Sequence, residues 1–90
     1  MHAVIVREMV DPDHIEESKA PLGAVVPRVQ QSPGIVSASW MMTKDAHTLN
    51  VLVYDSEEAA LGAGDRVQGA QRPEFVHLES VEVAEVLTSF

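Results

Sequence analysis

Four short apolar segments, separated by two stretches of helical character, constrain the fold of this chain more than any other feature. The four segments are rich in β-branched residues and are therefore predicted to be strands, at residues 2–9, 35–43, 49–54 and 75 to about 87. The resulting order, β-α-β-β-α-β, is typical of an α+β ferredoxin-like sandwich, in which an antiparallel sheet carries both helices on one face.

The first helical stretch is expected to be interrupted. Asp11 is the predicted N-cap, followed by Pro12 at the first helical position, where its missing N–H costs nothing. The apolar positions that share one helical face are Ile15, Leu22, Val26 and Val29. Because an interior proline removes a backbone donor and clashes one turn back, a break is predicted at Ala20-Pro21 and a bend at Pro27.

The second helix is predicted at about 56–71, with Asp55 or Ser56 as its cap and Glu58 at capping-box spacing from Asp55. Three glycines make it a weak helix, and its apolar side chains are small. In the last strand, alternation changes parity between Leu78 and Val81, which predicts a bulge near Ser80.

Apolar residues occupy both faces of the predicted sheet. Strand one has Val4 and Val6 on one side and Ala3, Ile5 and Met9 on the other. The next two strands show the same pattern, with Ile35 and Met41 opposite Val36, Ala38, Trp40 and Met42, and with Leu49, Val51 and Val53 opposite Leu52 and Tyr54. Two helices cover only one face, so a homodimer is predicted, by a two-fold contact between sheets. The alternative is a monomer whose long last strand folds back over its own sheet.

Length and charge restrict the remaining possibilities. Ninety residues are expected to form one domain, 1–90, and the absence of cysteine suits a cytoplasmic protein. The net charge is −8, and the six basic residues are scattered along the chain. Nucleic acid and anionic membranes are therefore not expected as partners, because both require a clustered positive surface.

Two stretches resemble a known family. Residues 26–40, with the turn Ser32-Pro33-Gly34 before a strand, and residues 50–60, a strand leading into an acidic helix start, are similar to the antibiotic-biosynthesis-monooxygenase-type proteins of the dimeric α+β barrel superfamily. The resemblance implies two sheets packed face to face and a pocket between sheet and helices in each subunit. Members of that family include cofactor-independent oxygenases of aromatic polyketides or quinols and haem-degrading enzymes. Many other members have no known activity, so the resemblance implies one of these three cases.

The haem-degrading branch of that family uses an asparagine in the first strand and a histidine on the second helix. This chain has no asparagine in strand one and no histidine within residues 56–71. No cofactor is therefore expected. A metal site is not expected either, because the four histidines are dispersed and form no H-x-H or H-x3-H pair.

Three residues are candidate ligand-binding groups. Trp40, the only tryptophan, could stack on a flat aromatic ligand, or it could belong to the core or the dimer interface. Asn50 and Tyr54 lie four apart on one strand, hence on the same face, and could hydrogen-bond a carbonyl or hydroxyl of the ligand.

His77 is the candidate catalytic base. Glu79 lies two residues further along the same strand and could raise the basicity of the imidazole for proton abstraction from a phenol or quinol before oxygen attack. A solvent-facing polar pair is the alternative. The sequence thus supports two hypotheses: a cofactor-independent monooxygenase acting on an aromatic or quinol-type substrate, or a non-catalytic dimeric module that binds a small molecule or has a structural role.

Overall fold

The computed structural model describes residues 1–90 and confirms the predicted α+β fold. The strands are β1 (His2–Val10), β2 (Ile35–Met42), β3 (His47–Tyr54) and β4 (Val76–Glu85), and the helices are α1 (Leu22–Gln30) and α2 (Glu57–Gly69). All neighbouring strands are antiparallel, in the order β2-β3-β1-β4. This is the ferredoxin-like arrangement. Neither helix combines the length and the apolar character that crossing a bilayer requires.

The first helical stretch is broken more completely than predicted. The break at Ala20-Pro21 is confirmed, because α1 begins only after Pro21. The residues before it form two separate 3-10 turns, Pro12–His14 and Glu17–Lys19, instead of the first half of a kinked helix. Asp11 takes the predicted N-cap position, with Pro12 as the first residue of the first turn, but its side chain forms no capping hydrogen bond.

Ser56, one of the two predicted caps, begins α2. Its hydroxyl accepts a hydrogen bond from the Ala59 backbone N–H at 3.1 Å. Asp55 instead supports the turn that precedes β2, where its N–H donates to the Gly34 carbonyl at 2.9 Å. Gly34 has φ of 80°, a left-handed conformation that favours glycine, so the turn requires this residue type.

The core lies between the sheet and α2. Its fully buried residues are Val4, Val6, Leu52, Tyr54, Ala60 and Ala63. The small residues of α2 bring the helix close to the sheet, and a Cβ added at Gly64 would already be in van der Waals contact with Val83. The small residues Ala60, Ala63 and Gly64 therefore serve close packing, although the glycine weakens the isolated helix.

Bulges in two strands decide which side chains face the helices. In β4, Leu78 pairs with Glu8 and Ser80 pairs with Arg7, so Glu79 is the extra residue and the predicted bulge is confirmed. In β2 a second bulge, at Val36, was not predicted. It places Ile35 against the core together with Ala38 and Trp40, which corrects the predicted alternation of that strand.

The sheet face opposite the helices, termed the open face, is largely apolar. Its apolar residues from the three strands β1, β2 and β3 are Ala3, Ile5, Met9, Met41, Leu49, Val51 and Val53. No helix packs against them, and Met9 and Met41 are 37% and 45% exposed. An ion pair between Arg7 and Glu82 at 3.7 Å adds a polar element on the same face.

Candidate functional site

A cavity of about 210 Å³ lies between the sheet and the helical layer. It is mainly apolar, with ten hydrophobic residues among the 18 that line it. Its lining residues are Val6, Glu8, Val10, Ser18, Pro21, Leu22, Val25, Val29, Trp40, Thr48, Asn50, Leu52, Val67, Ala70, Gln71, Arg72, Pro73 and Val76. An apolar concavity with a few polar groups is the usual form of a small-molecule site.

The broken first helix creates this space. Because α1 begins only at Leu22, it packs chiefly on β2, whereas α2 packs on β1, β3 and β4. The gap between them is walled on one side by α1 and on the other by residues 70–73, which follow the end of α2. Pro21, which precedes α1, is itself one of the lining residues.

One wall of the cavity carries a connected polar cluster. Arg72 Nε lies 2.6 Å from Glu8 Oε2, and the two side chains are only 16% and 15% exposed. The other carboxylate oxygen, Oε1, accepts hydrogen bonds from Thr48 Oγ1 at 3.2 Å and from Asn50 Nδ2 at 3.3 Å. We term these four residues the Glu8 cluster.

Arg72 also completes the C-terminal end of α2. Its Nη2 donates to the Val67 carbonyl at 2.8 Å, and its Nη1 donates to the Ala70 carbonyl at 3.0 Å. The last carbonyls of a helix have no partner within the helix, and a cation is favoured at that end of the dipole. The guanidinium is therefore fixed in place by three protein acceptors.

Two of the predicted ligand-binding residues line the cavity. Trp40 is half-buried and packs against the core on the helix-facing side of β2, so the structure gives it a wall position. Asn50 lies directly opposite Trp40 on β3 and joins the Glu8 cluster. The structure therefore brings Trp40 and Asn50 together.

Tyr54 is placed elsewhere. Its side chain is 1% exposed, belongs to the core and is absent from the cavity lining. Its hydroxyl lies 3.0 Å from Ser32 Oγ, and Arg66 Nη2 donates to the same serine at 3.2 Å. Tyr54 therefore links β3 to the turn before β2. It lies four residues further along β3 than Asn50.

His77 does not share the cavity with these residues. It pairs with Met9 in the sheet, is exposed, and its Nε2 lies 3.0 Å from Asp11 Oδ1. Glu79, the extra residue of the bulge, approaches His47 Nε2 at 3.6 Å. The His77 imidazole thus has a carboxylate partner, but the partner is Asp11, and the pair lies outside the cavity lining.

Sequence reasoning missed three members of the Glu8 cluster. Glu8 continues the helix-facing alternation of Val4 and Val6, so an acid at that position was the available signal. Thr48 and Arg72 carried no comparable signal. Arg72 contacts Glu8 across 64 residues of sequence.

No three His, Asp or Glu side chains converge in a way that could hold a metal ion. In the turn before β3, the hydroxyl of Thr43 donates to Asp45 and lowers the pKa of that carboxyl from its ordinary value of 3.8. The Thr43 and Asp45 side chains are exposed, and neither residue is among those that line the cavity.

The cavity can position a small aromatic molecule. It offers an apolar volume for a ring, the Trp40 indole for stacking or N–H donation, and the Asn50 amide and Glu8 carboxylate as hydrogen-bonding groups. No histidine or other readily protonated base is among the lining residues. Any proton acceptor from the chain inside the cavity would be Glu8.

Comparisons with known proteins find similarity in structure. No family model and no curated protein sequence matches the chain. The heme-degrader MhuD from Mycobacterium tuberculosis, solved with two hemes bound in its active site, superposes with a TM-score of 0.75 at 18% identity, covering 100% of this chain and 99% of that one.

Two monooxygenases give similar superpositions. The monooxygenase from the gene ActVA-Orf6 of Streptomyces coelicolor, solved in complex with Nanaomycin D, has a TM-score of 0.65 at 19% identity, covering 99% of this chain and 89% of that one. An antibiotic biosynthesis monooxygenase has a TM-score of 0.64 at 13% identity, covering 98% of this chain and 100% of that one.

The residues of this cavity do not fit haem. Haem iron in proteins is held by histidine, cysteine, methionine or tyrosine, and none of these is among the 18 lining residues. A volume of about 210 Å³ is also below the range of about 300–1,000 Å³ usual for drug-sized ligands. The similarity to MhuD therefore concerns the backbone.

Element order, strand order and superposition over nearly the whole length agree with one another. They also agree with the resemblance that residues 26–40 and 50–60 suggested. The chain has the ferredoxin-like α+β fold of the antibiotic-biosynthesis-monooxygenase-type proteins.

Proposed function

We propose that this protein is a small cofactor-independent monooxygenase that oxidises an aromatic molecule of phenol or quinol type in the cavity between its sheet and helices. The observation that carries the proposal is the cavity itself, an apolar space of about 210 Å³ with the Glu8 cluster on one wall. Proteins of the same fold include a monooxygenase solved with Nanaomycin D, which supports the reaction class.

The size of the cavity favours a compact substrate. A dry engineered cavity of about 150 Å³ binds benzene, so about 210 Å³ accommodates one substituted ring. Trp40 offers a flat surface for that ring, and Asn50 fixes a polar substituent by hydrogen bonding. Orientation and exclusion of water are the contributions that such a site can make to catalysis.

The proposed reaction needs only the substrate and O₂. In an electron-rich phenol, a ring C–H becomes C=O and the phenolic C–OH becomes a second C=O. One atom of O₂ enters the product and the other leaves as water with both hydrogens. The substrate supplies all four electrons, so no external reductant is required.

We further propose that the protein acts as a homodimer in the cytoplasm. The open face supports the first point, because its half-buried aliphatic residues and exposed methionines form a contiguous apolar surface. Monomeric proteins rarely expose large patches of this kind. The cytoplasmic location rests on the absence of cysteine.

The function is tested by oxygen uptake with a panel of substituted phenols, quinols and anthrones. Labelled O₂ should place one labelled atom in the product. Val25→Phe narrows the cavity and should reduce turnover at least tenfold, whereas Val36→Phe, at an exposed position, is the matched control and should leave it unchanged. Absence of uptake and of any Trp40 fluorescence change across the panel would refute the proposal.

The predicted role of His77 has its own measurement. His77→Gln should lower turnover only if a substrate reaches the open-face side of β4, since the residue is absent from the cavity lining. Unchanged turnover in this variant, together with loss of turnover in Val25→Phe, would exclude His77 as the base and retain the cavity as the site.

A further inference from the structure

The cavity contains two charged side chains, Glu8 and Arg72, and the way they are paired determines which ligand charge it can accept. Both are about 85% buried and lie 2.6 Å apart at Nε and Oε2. On charge alone, Arg72 would serve as an anchor for a ligand carboxylate, because a guanidinium fits that group well. The hydrogen bonds of the cluster argue against this assignment.

Arg72 uses three of its five N–H donors on the protein: Nε binds Glu8, Nη2 binds the Val67 carbonyl and Nη1 binds the Ala70 carbonyl. Two of these acceptors are carbonyls at the end of α2 that would otherwise lack a partner. The two remaining N–H donors belong to a guanidinium whose charge is already paired with a buried carboxylate and whose orientation is set by the end of a helix.

Glu8, in contrast, retains acceptor capacity. An ionised carboxylate offers about four lone-pair sites. Thr48 and Asn50 occupy two sites on Oε1, and Arg72 occupies one on Oε2. One site on Oε2 therefore remains for a donor, and Glu8 lines the cavity.

We propose that Glu8 sets the selectivity of the cavity, admitting neutral aromatic molecules that carry a hydrogen-bond donor and rejecting anionic ones. This inference rests on the proposed site for aromatic ligands and adds a rule for the substituent. A hydroxyl donates to Glu8 Oε2, whereas a carboxylate in the same place would meet a like charge where water is largely excluded. The net charge of −8 opposes anions at longer range as well.

Three molecules with the same ring test the rule: para-methylphenol, its methyl ether and para-methylbenzoate. Binding is measured by NMR titration, following the Trp40 indole N–H. The phenol should bind at least tenfold more tightly than the ether, because only the phenol can donate a hydrogen bond to the charged carboxylate. The benzoate should bind no more tightly than the ether.

The variant Glu8→Gln tests whether Glu8 causes the preference for the phenol over the ether and the benzoate. The variant should weaken phenol binding about tenfold and strengthen benzoate binding, since the charge that repels the anion is gone. Glu85→Gln, the same change at an exposed end of β4, is the control and should leave all three affinities unchanged. If Glu8→Gln did not fold, the ranking of the three molecules on the unmodified protein would still decide the question.

The outcomes separate this inference from the proposed function. Tightest binding of the benzoate would overturn the inference and identify Arg72 as an anion site. Equal binding of phenol and ether would also overturn it, while the aromatic site itself would stand. Absence of binding by all three, together with absence of oxygen uptake across the phenol and quinol panel, would overturn both proposals.

Discussion

Replacing Arg72 with methionine should destabilise the protein more than replacing its partner Glu8 with glutamine. Methionine keeps most of the aliphatic packing of arginine but removes all three hydrogen bonds that the guanidinium donates. Glutamine at position 8 removes the negative charge but can still accept a hydrogen bond from Arg72. It also leaves the two bonds from Arg72 to the end of α2 intact.

The magnitude follows from burial and from the number of bonds lost. Removing one partner of a buried ion pair costs about 3–5 kcal/mol. Here Thr48 and Asn50 still donate to the remaining carboxylate, which places Arg72→Met near the lower end. We therefore expect a loss of about 3 kcal/mol for Arg72→Met and about 1–1.5 kcal/mol for Glu8→Gln. The stability loss of the double variant should be smaller than the sum of the two single-variant losses, because both single changes break the same contact.

Urea unfolding followed by far-ultraviolet circular dichroism measures these differences. The m-value should stay constant, so that the shift in midpoint reports stability alone. The reasoning would be refuted by equal losses in the two single variants, or by strictly additive losses in the double variant. Additive losses would mean that Arg72 and Glu8 are not energetically coupled in the folded protein, and equal losses would mean that the bonds from Arg72 to the end of α2 contribute no stability.

Three further changes test other parts of the structure. Gly34→Ala should lower the free energy of unfolding by at least about 1–2 kcal/mol, because φ is +80° and the new methyl group would lie 2.6 Å from Asp55 Oδ1. Unchanged stability in urea would contradict the assigned turn. Met41→Glu on the open face should yield folded monomers in sedimentation, whereas Leu61→Glu on α2 should leave the dimer intact. If the unmodified protein were monomeric at micromolar concentration, the dimer proposal would be refuted. The lowered pKa of Asp45 means that its contribution to stability is complete above pH 3.8 and is lost as pH falls through the lower folded-state pKa. The stability difference between the unmodified protein and Asp45→Asn should therefore shrink below that pH, and a constant difference would contradict this assignment.

Local features of the sequence predicted the fold well. The break before α1 follows from Pro21, since a proline there removes a donor and clashes with the preceding turn. The bulge in β4 follows from the change of parity between Leu78 and Val81. These predictions hold because their causes act over a few neighbouring residues.

The candidate site was predicted less completely. Trp40 and Asn50 were identified and line the cavity, but Tyr54 contributes to the core and His77 lies on the other face of the sheet. Alternation assigns residues to one of two faces but does not say which face carries the helices. Glu79, which counting along the strand offered as the partner of His77, approaches His47, and His77 contacts Asp11 instead.

The sequence by itself determined the order of elements, the interruption of the first helix and the apolar character of both sheet faces. Only the tertiary structure decided that Glu8 meets Arg72, because that contact depends on the position of β1 in the sheet and on where α2 ends. The cavity has the same origin. Its walls come from segments far apart in the chain, and their convergence depends on long-range packing that no local pattern encodes.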